Sequence, residues 1–341
     1  MGEPDPDLWP RTLQRLISHE ALSAEEAADA MRAIMSGDVT PGQVGGFLMA
    51  LRTKGETVDE LEGLARTVLE FAHPVSTPAP VLDTCGTGGD RSGTFNISTV
   101  SAIVVAGAGV PVAKHGNRAA SGRCGSADLL EALGVTIDLD AAGVERCLAD
   151  AGIGFMFAPV FHPAFGHAAP VRGELRVPTS FNFLGPLTNP ARPTAQVVGV
   201  SDERMLPLMA EVLARRGTRA KLFRGEDGLD ELTTTGPSMV LDVREGEVRE
   251  SRLDPATVGI ERSTRDDLRG GDPAEASRVA RAVLDGEPGP RRNVVLLNAG
   301  AALEVAGVAQ DLAAGIAQAA ASIDEGKAAA TLERWIAVSG R

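Results

Sequence analysis

The chain has 341 residues, 43% of them hydrophobic and 23% charged, a composition that fits a globular protein long enough for two domains. Its formal net charge of −13 argues against a general nucleic-acid surface, and no apolar run is long enough to cross a bilayer. The stretch MGEPDPDLWP lacks the basic-then-apolar layout of a signal peptide. Cys85, Cys124 and Cys147 have no zinc spacing, so a cytoplasmic protein with reduced thiols is expected.

The stretch up to residue 73 reads as helices. Ser23 with Glu26, Thr40 with Gln43, and Thr57 with Glu60 all have capping-box spacing. Pro41 suits a first helical position, and Gly37 and Gly55 fall where helices should stop. Apolar residues such as Phe47, Leu48, Leu51, Leu61, Leu64 and Val68 recur at helical spacing, as core or as a face for a partner subunit. The proline-rich run 74–80 reads as a linker. Beyond it, strands are expected at 81–85, 110–113, 153–157, 196–200 and 220–223. Helices are expected at 97–108 and 127–133, a hairpin at 240–248 turning on Glu245-Gly246, and mostly helix over 296–337. This alternation predicts an α/β fold with a largely parallel sheet.

Four clusters carry chemistry. The first, Asp83 to Asp90, sets a Gly-Thr-Gly-Gly loop between a strand and a helix, followed by Thr94-Phe95-Asn96-Ile97-Ser98-Thr99. Such a loop brings backbone N–H groups to an anion at a helix N-terminus, although a bare tight turn looks the same in sequence. It has neither a Walker lysine nor the dinucleotide fingerprint. The second cluster is Lys114-His115-Gly116-Asn117-Arg118, beyond a strand and basic within an acidic chain. Lysine is scarce here, confined to Lys54, Lys114, Lys221 and Lys327, so a retained ammonium at 114 hints at a compact charge. His115 reads by default as structural. The third is Asp230-Glu231, which is either acidic surface or, beside a phosphate site, a magnesium ligand pair. The fourth is Arg172, upstream of the rigid Asn/Gly/Pro-rich run 179–190. It is either a carboxylate clamp or a helix-capping arginine.

In this order, Gly-Thr-Gly-Gly-Asp, Asn-Ile-Ser-Thr, Lys-His-Gly-Asn-Arg, Gly-Ser-Ala-Asp (125–128), Leu-Gly-Pro-Leu-Thr-Asn-Pro and Asp-Glu resemble the landmarks of the anthranilate phosphoribosyltransferases. That family has a thymidine-phosphorylase-like fold, and the resemblance spans nearly the whole chain. It implies a small helical domain over 1–73, joined in space by a segment near 162–180. That domain would be hinged through 74–80 to a large α/β domain over 81–341. It implies transfer of the phosphoribosyl group of phosphoribosyl pyrophosphate (PRPP) to anthranilate, in tryptophan biosynthesis. The implied PRPP site comprises Gly86, Gly89, Asp90, Thr94, Asn96, Ile97, Ser98, Thr99, Lys114, Ser121 and Ser126. Gly86, Asn117, Arg172, Gly185 and Pro186 would face anthranilate. Ser98, Asp230 and Glu231 would hold Mg2+. Lys114, Asp230 and Glu231 carry the catalytic roles, and a homodimer through the helical domain is implied.

Some positions depart from the family pattern. Val171-Arg172-Gly173-Glu174-Leu175-Arg176 stands where Val-Arg-Arg-Glu-Leu-Gly is common, and Gly122 and Cys124 replace common serines. A transferase acting on another aromatic amine is therefore the alternative expectation. A nucleic-acid-binding relative of the fold is disfavoured by the charge, and a pyrimidine nucleoside phosphorylase by the lack of a lysine in the first glycine loop.

Overall fold

The computed structural model describes residues 7–77, 79–119 and 122–341. It opens with four helices: α1 (Leu8–Ile17), α2 (Ala24–Ser36), α3 (Pro41–Lys54) and α4 (Val58–Glu70). All three expected capping boxes form. At α2, for instance, the Glu26 N–H donates to Ser23 Oγ at 3.2 Å and the Ser23 N–H to Glu26 Oε2 at 2.8 Å. Glu60 does more than cap α4. Fully buried, it also accepts from the Leu22 N–H and from Lys54 Nζ, each at 2.9 Å, tying the entry of α2 and the end of α3 to α4.

The rest of the chain alternates: β1 (Leu82–Gly86), α5 (Ile97–Gly107), β2 (Val112–Gly116), α6 (Ser126–Leu133), α7 (Ala141–Ala151), β3 (Ile153–Phe157), α8 (Ala158–Phe161), α9 (Ala169–Leu175), β4 (Ala195–Gly199), α10 (Met205–Arg215) and β5 (Arg219–Gly225). There follow β6 (Ser238–Arg244), β7 (Glu247–Leu253), α11 (Pro273–Leu284), α12 (Pro290–Val305), α13 (Leu312–Asp324) and α14 (Lys327–Ser339). One seven-stranded sheet runs in the order β3-β2-β1-β4-β5-β6-β7, parallel from β3 to β5 and antiparallel at the β6–β7 end. The hairpin turns on Glu245 and Gly246, both left-handed at φ 54° and 79°, as a two-residue turn requires.

Alternation along the strands sends side chains to opposite layers. Val197 and Phe223 pack into the core beneath α5, α12 and α14, while Val198 and Leu222 join α10 and the N-terminal helices. The segment after β3 returns to those helices: α9 lies on α3, and a short 3-10 turn at Pro163–His167 lies on α2. Among the described residues no helix is long and apolar enough to cross a membrane. The feature that positions the site is the strand order. β1 continues to β2 on one side and borders β4 on the other, so a crevice opens beyond their carboxyl ends. Those ends are Gly86 and Gly199, paired in register.

Candidate active site

At the mouth of that crevice the loop after β1 is held by a residue 142 positions downstream: the Gly88 N–H donates to Asp230 Oδ2 at 2.7 Å. Only glycines admit this seating. A Cβ on Gly86 would stand 2.5 Å from Asp230 Oδ2, and one on Gly199 would stand 1.5 Å from the Asp230 carbonyl oxygen. Glu231 turns the other way and accepts from the Ser98 N–H at 3.1 Å, in the first turn of α5, where the helix dipole favours an anion. Burial raises both carboxyl pKa values. The charge of Asp90 adds to the shift at Asp230, and that of Asp230 to the shift at Glu231. Among the described residues, Asp90 Oδ2, Asn96 Oδ1 and Thr99 Oγ1 are buried with no hydrogen-bond partner. The crevice thus gathers carboxyl groups and unspent acceptors, whose ionised form a bound cation would favour. Among the described residues no three His, Cys, Asp or Glu side chains form a metal cage. Magnesium, however, characteristically takes one or two carboxylates and completes its shell with phosphate oxygens and water, so Asp230, Glu231 and the Ser98 hydroxyl fit it.

Lys114, on β2, supplies the buried positive charge. Its Nζ donates to the Thr84 carbonyl at 2.5 Å and reaches Ser98 Oγ at 3.5 Å. Burial lowers its pKa and raises that of Asp83 beneath it, while the attraction between the two opposes both shifts. Asp83 is in turn held by the His115 N–H at 3.3 Å and by Asn189 Nδ2 at 2.8 Å.

The loop from β2 to α6 is folded around Asp128, which accepts from the Gly125 N–H at 2.8 Å and the Ala119 N–H at 3.1 Å. Asn96 Nδ2 donates to the Cys124 carbonyl at 3.0 Å, linking this loop to the first. Ser126 Oγ donates to the Asn117 carbonyl at 3.1 Å, and the Asn117 side chain accepts from the Arg118 N–H at 2.7 Å. Arg118 turns outward onto Asp128 and Glu131. Thr94 hydrogen-bonds Ser92 at 3.2 Å. Ile97 and Thr99 are buried in the core, and their N–H groups are taken by the Phe95 and Asn96 carbonyls. Ser121 lies outside the described residues.

Arg172 is on α9, and Gly185 and Pro186 open a 3-10 turn at Gly185–Leu187. The Arg172 guanidinium stands 5.8 Å from the Phe181 ring centroid, and burial lowers its pKa. No carboxylate among the described residues pairs with it. Gly185 is linked back to β2, because its carbonyl lies 3.1 Å from His115 Nδ1. Pro186 is buried, its carbonyl accepting from Gln196 Nε2 at 2.9 Å.

Residues 10–72 match the glycosyl transferase family helical bundle domain and residues 78–329 its a/b domain. The chain is 54% identical to the anthranilate phosphoribosyltransferase of Arthrobacter sp. (strain FB24), over 97% of this chain and 96% of that protein. It belongs to the anthranilate phosphoribosyltransferase family. The crystal structure of the Thermus thermophilus anthranilate phosphoribosyltransferase aligns with a TM-score of 0.92 at 45% identity, over 97% of this chain and 99% of that one. The Saccharomyces cerevisiae anthranilate phosphoribosyltransferase in complex with PRPP and Mg aligns with a TM-score of 0.91 at 29% identity, over 99% of both chains.

Within this anthranilate phosphoribosyltransferase fold, Asp83 figured in the sequence only as the start of the first cluster and not as the group beneath Lys114, and neither Gly199 beneath Asp230 nor the clasp of the glycine loop by Ser201 was singled out. The Ser201 N–H donates to Thr87 Oγ1 at 3.0 Å and its hydroxyl to the Gly88 carbonyl at 2.7 Å. The available signal was Val-Gly-Val-Ser at the end of a strand, a glycine placed where strands deliver ligands. The departures are both exposed: Gly173 on α9, where a Cβ would meet nothing within 4 Å, and Arg176 just after that helix.

Proposed function

We infer that this chain transfers the 5-phosphoribosyl group of PRPP to the amine of anthranilate and releases pyrophosphate. The observation that carries the reading is the seating of Asp230 and Glu231 against the glycine loop and the first turn of α5, beside buried Lys114. The phosphates would lie on Gly86, Gly89, Asp90, Thr94, the start of α5 at 96–99, Lys114, Ser121 and Ser126. The carboxylate of anthranilate would meet Arg172, its amine Asn117, and its ring the path shaped by Gly86, Gly185 and Pro186.

Loss of pyrophosphate leaves cationic character on the ribose and negative charge on the leaving group. Lys114 faces that charge from a buried site, where its ammonium acts at low dielectric. Ser98, Asp230 and Glu231 would hold Mg2+, which when bound supplies charge neutralisation at the pyrophosphate. The aromatic amine is neutral near pH 7 and attacks without a strong base. Catalysis is therefore positioning and leaving-group stabilisation, with no covalent enzyme intermediate.

A helical unit over 1–73 with 162–180 and an α/β unit over 81–341, hinged at 74–80, would bring amine and ribose together. A homodimer through the helical unit is favoured by exposed Ile17 on α1, Met49 on α3 and Val177 just after α9. Unpaired Cys85, Cys124 and Cys147 suit a cytoplasmic setting. The test follows loss of anthranilate fluorescence with purified protein, PRPP and magnesium. Turnover that needs all three, and stops on chelation, is the expected result. Absence of turnover while PRPP still binds would reassign the chain to another aromatic amine.

A further inference from the structure

Arg52 lies in the last turn of α3, and its side chain reaches beyond the helical unit. The guanidinium hydrogen-bonds Asp202, lies 3.5 Å from Glu56 Oε2 and stands 5.5 Å from the Phe183 ring centroid. Together these contacts lead to two substrate loops. Asp202 follows Ser201, the residue that clasps Thr87 and Gly88, and Gly88 in turn donates to Asp230. Phe183 belongs to the run that carries Gly185 and Pro186. Glu56 is fastened to the start of that run, accepting from Ser180 Oγ at 2.8 Å.

The arrangement is largely shielded from solvent: the Arg52 and Asp202 side chains are each 19% exposed and that of Glu56 only 1%. Burial alone would raise the Asp202 carboxyl pKa, yet Arg52 and the Arg204 N–H hold it below the usual range. Lys54, two residues on, offers an internal comparison. Its ion pair with Glu60 stays inside the helical unit and serves the bundle. The contacts of Arg52 reach outward to the elements that flank both substrates.

We propose that Arg52 is a positioning residue that sets the phosphate loop through Asp202 and Ser201, and the amine loop through Phe183 and the Glu56–Ser180 contact. The seating of one helix end thereby governs both substrates. The proposal rests on the phosphoribosyl-transfer reading above.

It is tested on the full chain with Arg52→Ala, Arg52→Lys and Asp202→Ala, each checked for folding by circular dichroism, with kcat and both KM values measured. Lysine keeps a point charge for Asp202 but has no planar face for Phe183. Arg52→Ala is expected to raise both KM values about tenfold, the scale of one charge-assisted hydrogen bond. Arg52→Lys should bring the KM for PRPP back to within about threefold of the unmodified chain while that for anthranilate stays high. Asp202→Ala should raise the KM for PRPP alone. Should Arg52→Ala not fold, the other two variants decide. KM values unmoved by Arg52→Ala, or moved together by Arg52→Lys and by Asp202→Ala, overturn the proposal. An unmodified chain without turnover overturns the phosphoribosyl-transfer reading and takes this one with it, whereas an active chain with silent Arg52 variants overturns this one alone.

Discussion

A half-buried guanidinium set over a ring, with no carboxylate partner among the described residues, keeps a two-pronged donor face unused. Arg172 is in that position above Phe181. The planar carboxylate of anthranilate would restore its two-pronged hydrogen bonding. Arg172→Ala is therefore expected to raise the KM for anthranilate roughly thirtyfold, about 2 kcal/mol, with a much smaller effect on PRPP. Steady-state kinetics with each substrate varied in turn checks this, and equal rises would contradict it. At this scale the sequence was most legible where chemistry is packed into consecutive residues, as at 86–90, 114–117 and 230–231. Gly199 and Ser201 escaped notice, and Asp83 was read only as the head of the glycine-loop cluster, because the importance of each comes from a partner more than thirty positions away. Asp83 lies under Lys114, Gly199 under Asp230 and Ser201 over Thr87. An aspartate inside a strand, a glycine at a strand end and a serine just beyond it carry no local mark of such partners.

Elements were legible where a terminus announces itself. The three capping boxes placed α2, α3 and α4, and β3 coincides with the expected 153–157. The hairpin was found by its turn but is longer than 240–248, because its outer residues are polar and give no alternating signal. The C-terminal helices begin well before 296. α11 starts at Pro273 behind Asp272, whose side chain accepts from the Glu275 N–H at 3.0 Å. That start carried both a cap residue and a proline at the first helical position.

Two elements meet at a pair of imidazoles: His115 on β2 and His162 just after α8, with ring centroids 4.9 Å apart. Burial, with each of them near another imidazole, pushes His115 down to about 3 and His162 down to about 4. Both rings stay neutral in the folded chain where unfolded ones would charge. The contribution of these two rings to stability is therefore flat above about pH 6.5 and falls as pH drops below it, by roughly 1 kcal/mol per ring at pH 5.5. Urea titrations at pH 7.5 and 5.5 should show this loss, and His162→Gln should lessen it. An unchanged pH dependence in the variant would contradict the assignment.

At the scale of the whole molecule, large hydrophobic side chains are seldom exposed. Among the described residues Ile17, Met49, Val177 and Val308 are the exposed ones, and α3, which carries Met49, packs against both α1 and α9. Ile17→Lys combined with Met49→Glu is expected to shift a dimer to a monomer in sedimentation velocity while leaving the far-ultraviolet spectrum unchanged. Persistence of the dimer would move the interface elsewhere.

The hydrogen bonds that build the crevice span long stretches of chain: 142 positions for Gly88 with Asp230, 133 for Ser98 with Glu231, and 150 for Arg52 with Asp202. Helices capped by residues three apart can form early, whereas these closures must wait until β4 and β5 have docked beside β1. Time therefore separates shape from competence. After dilution from denaturant, helical signal should return first and the capacity to bind PRPP last. A newly made chain would pass through a stage that looks folded by its helices and cannot yet hold its substrate.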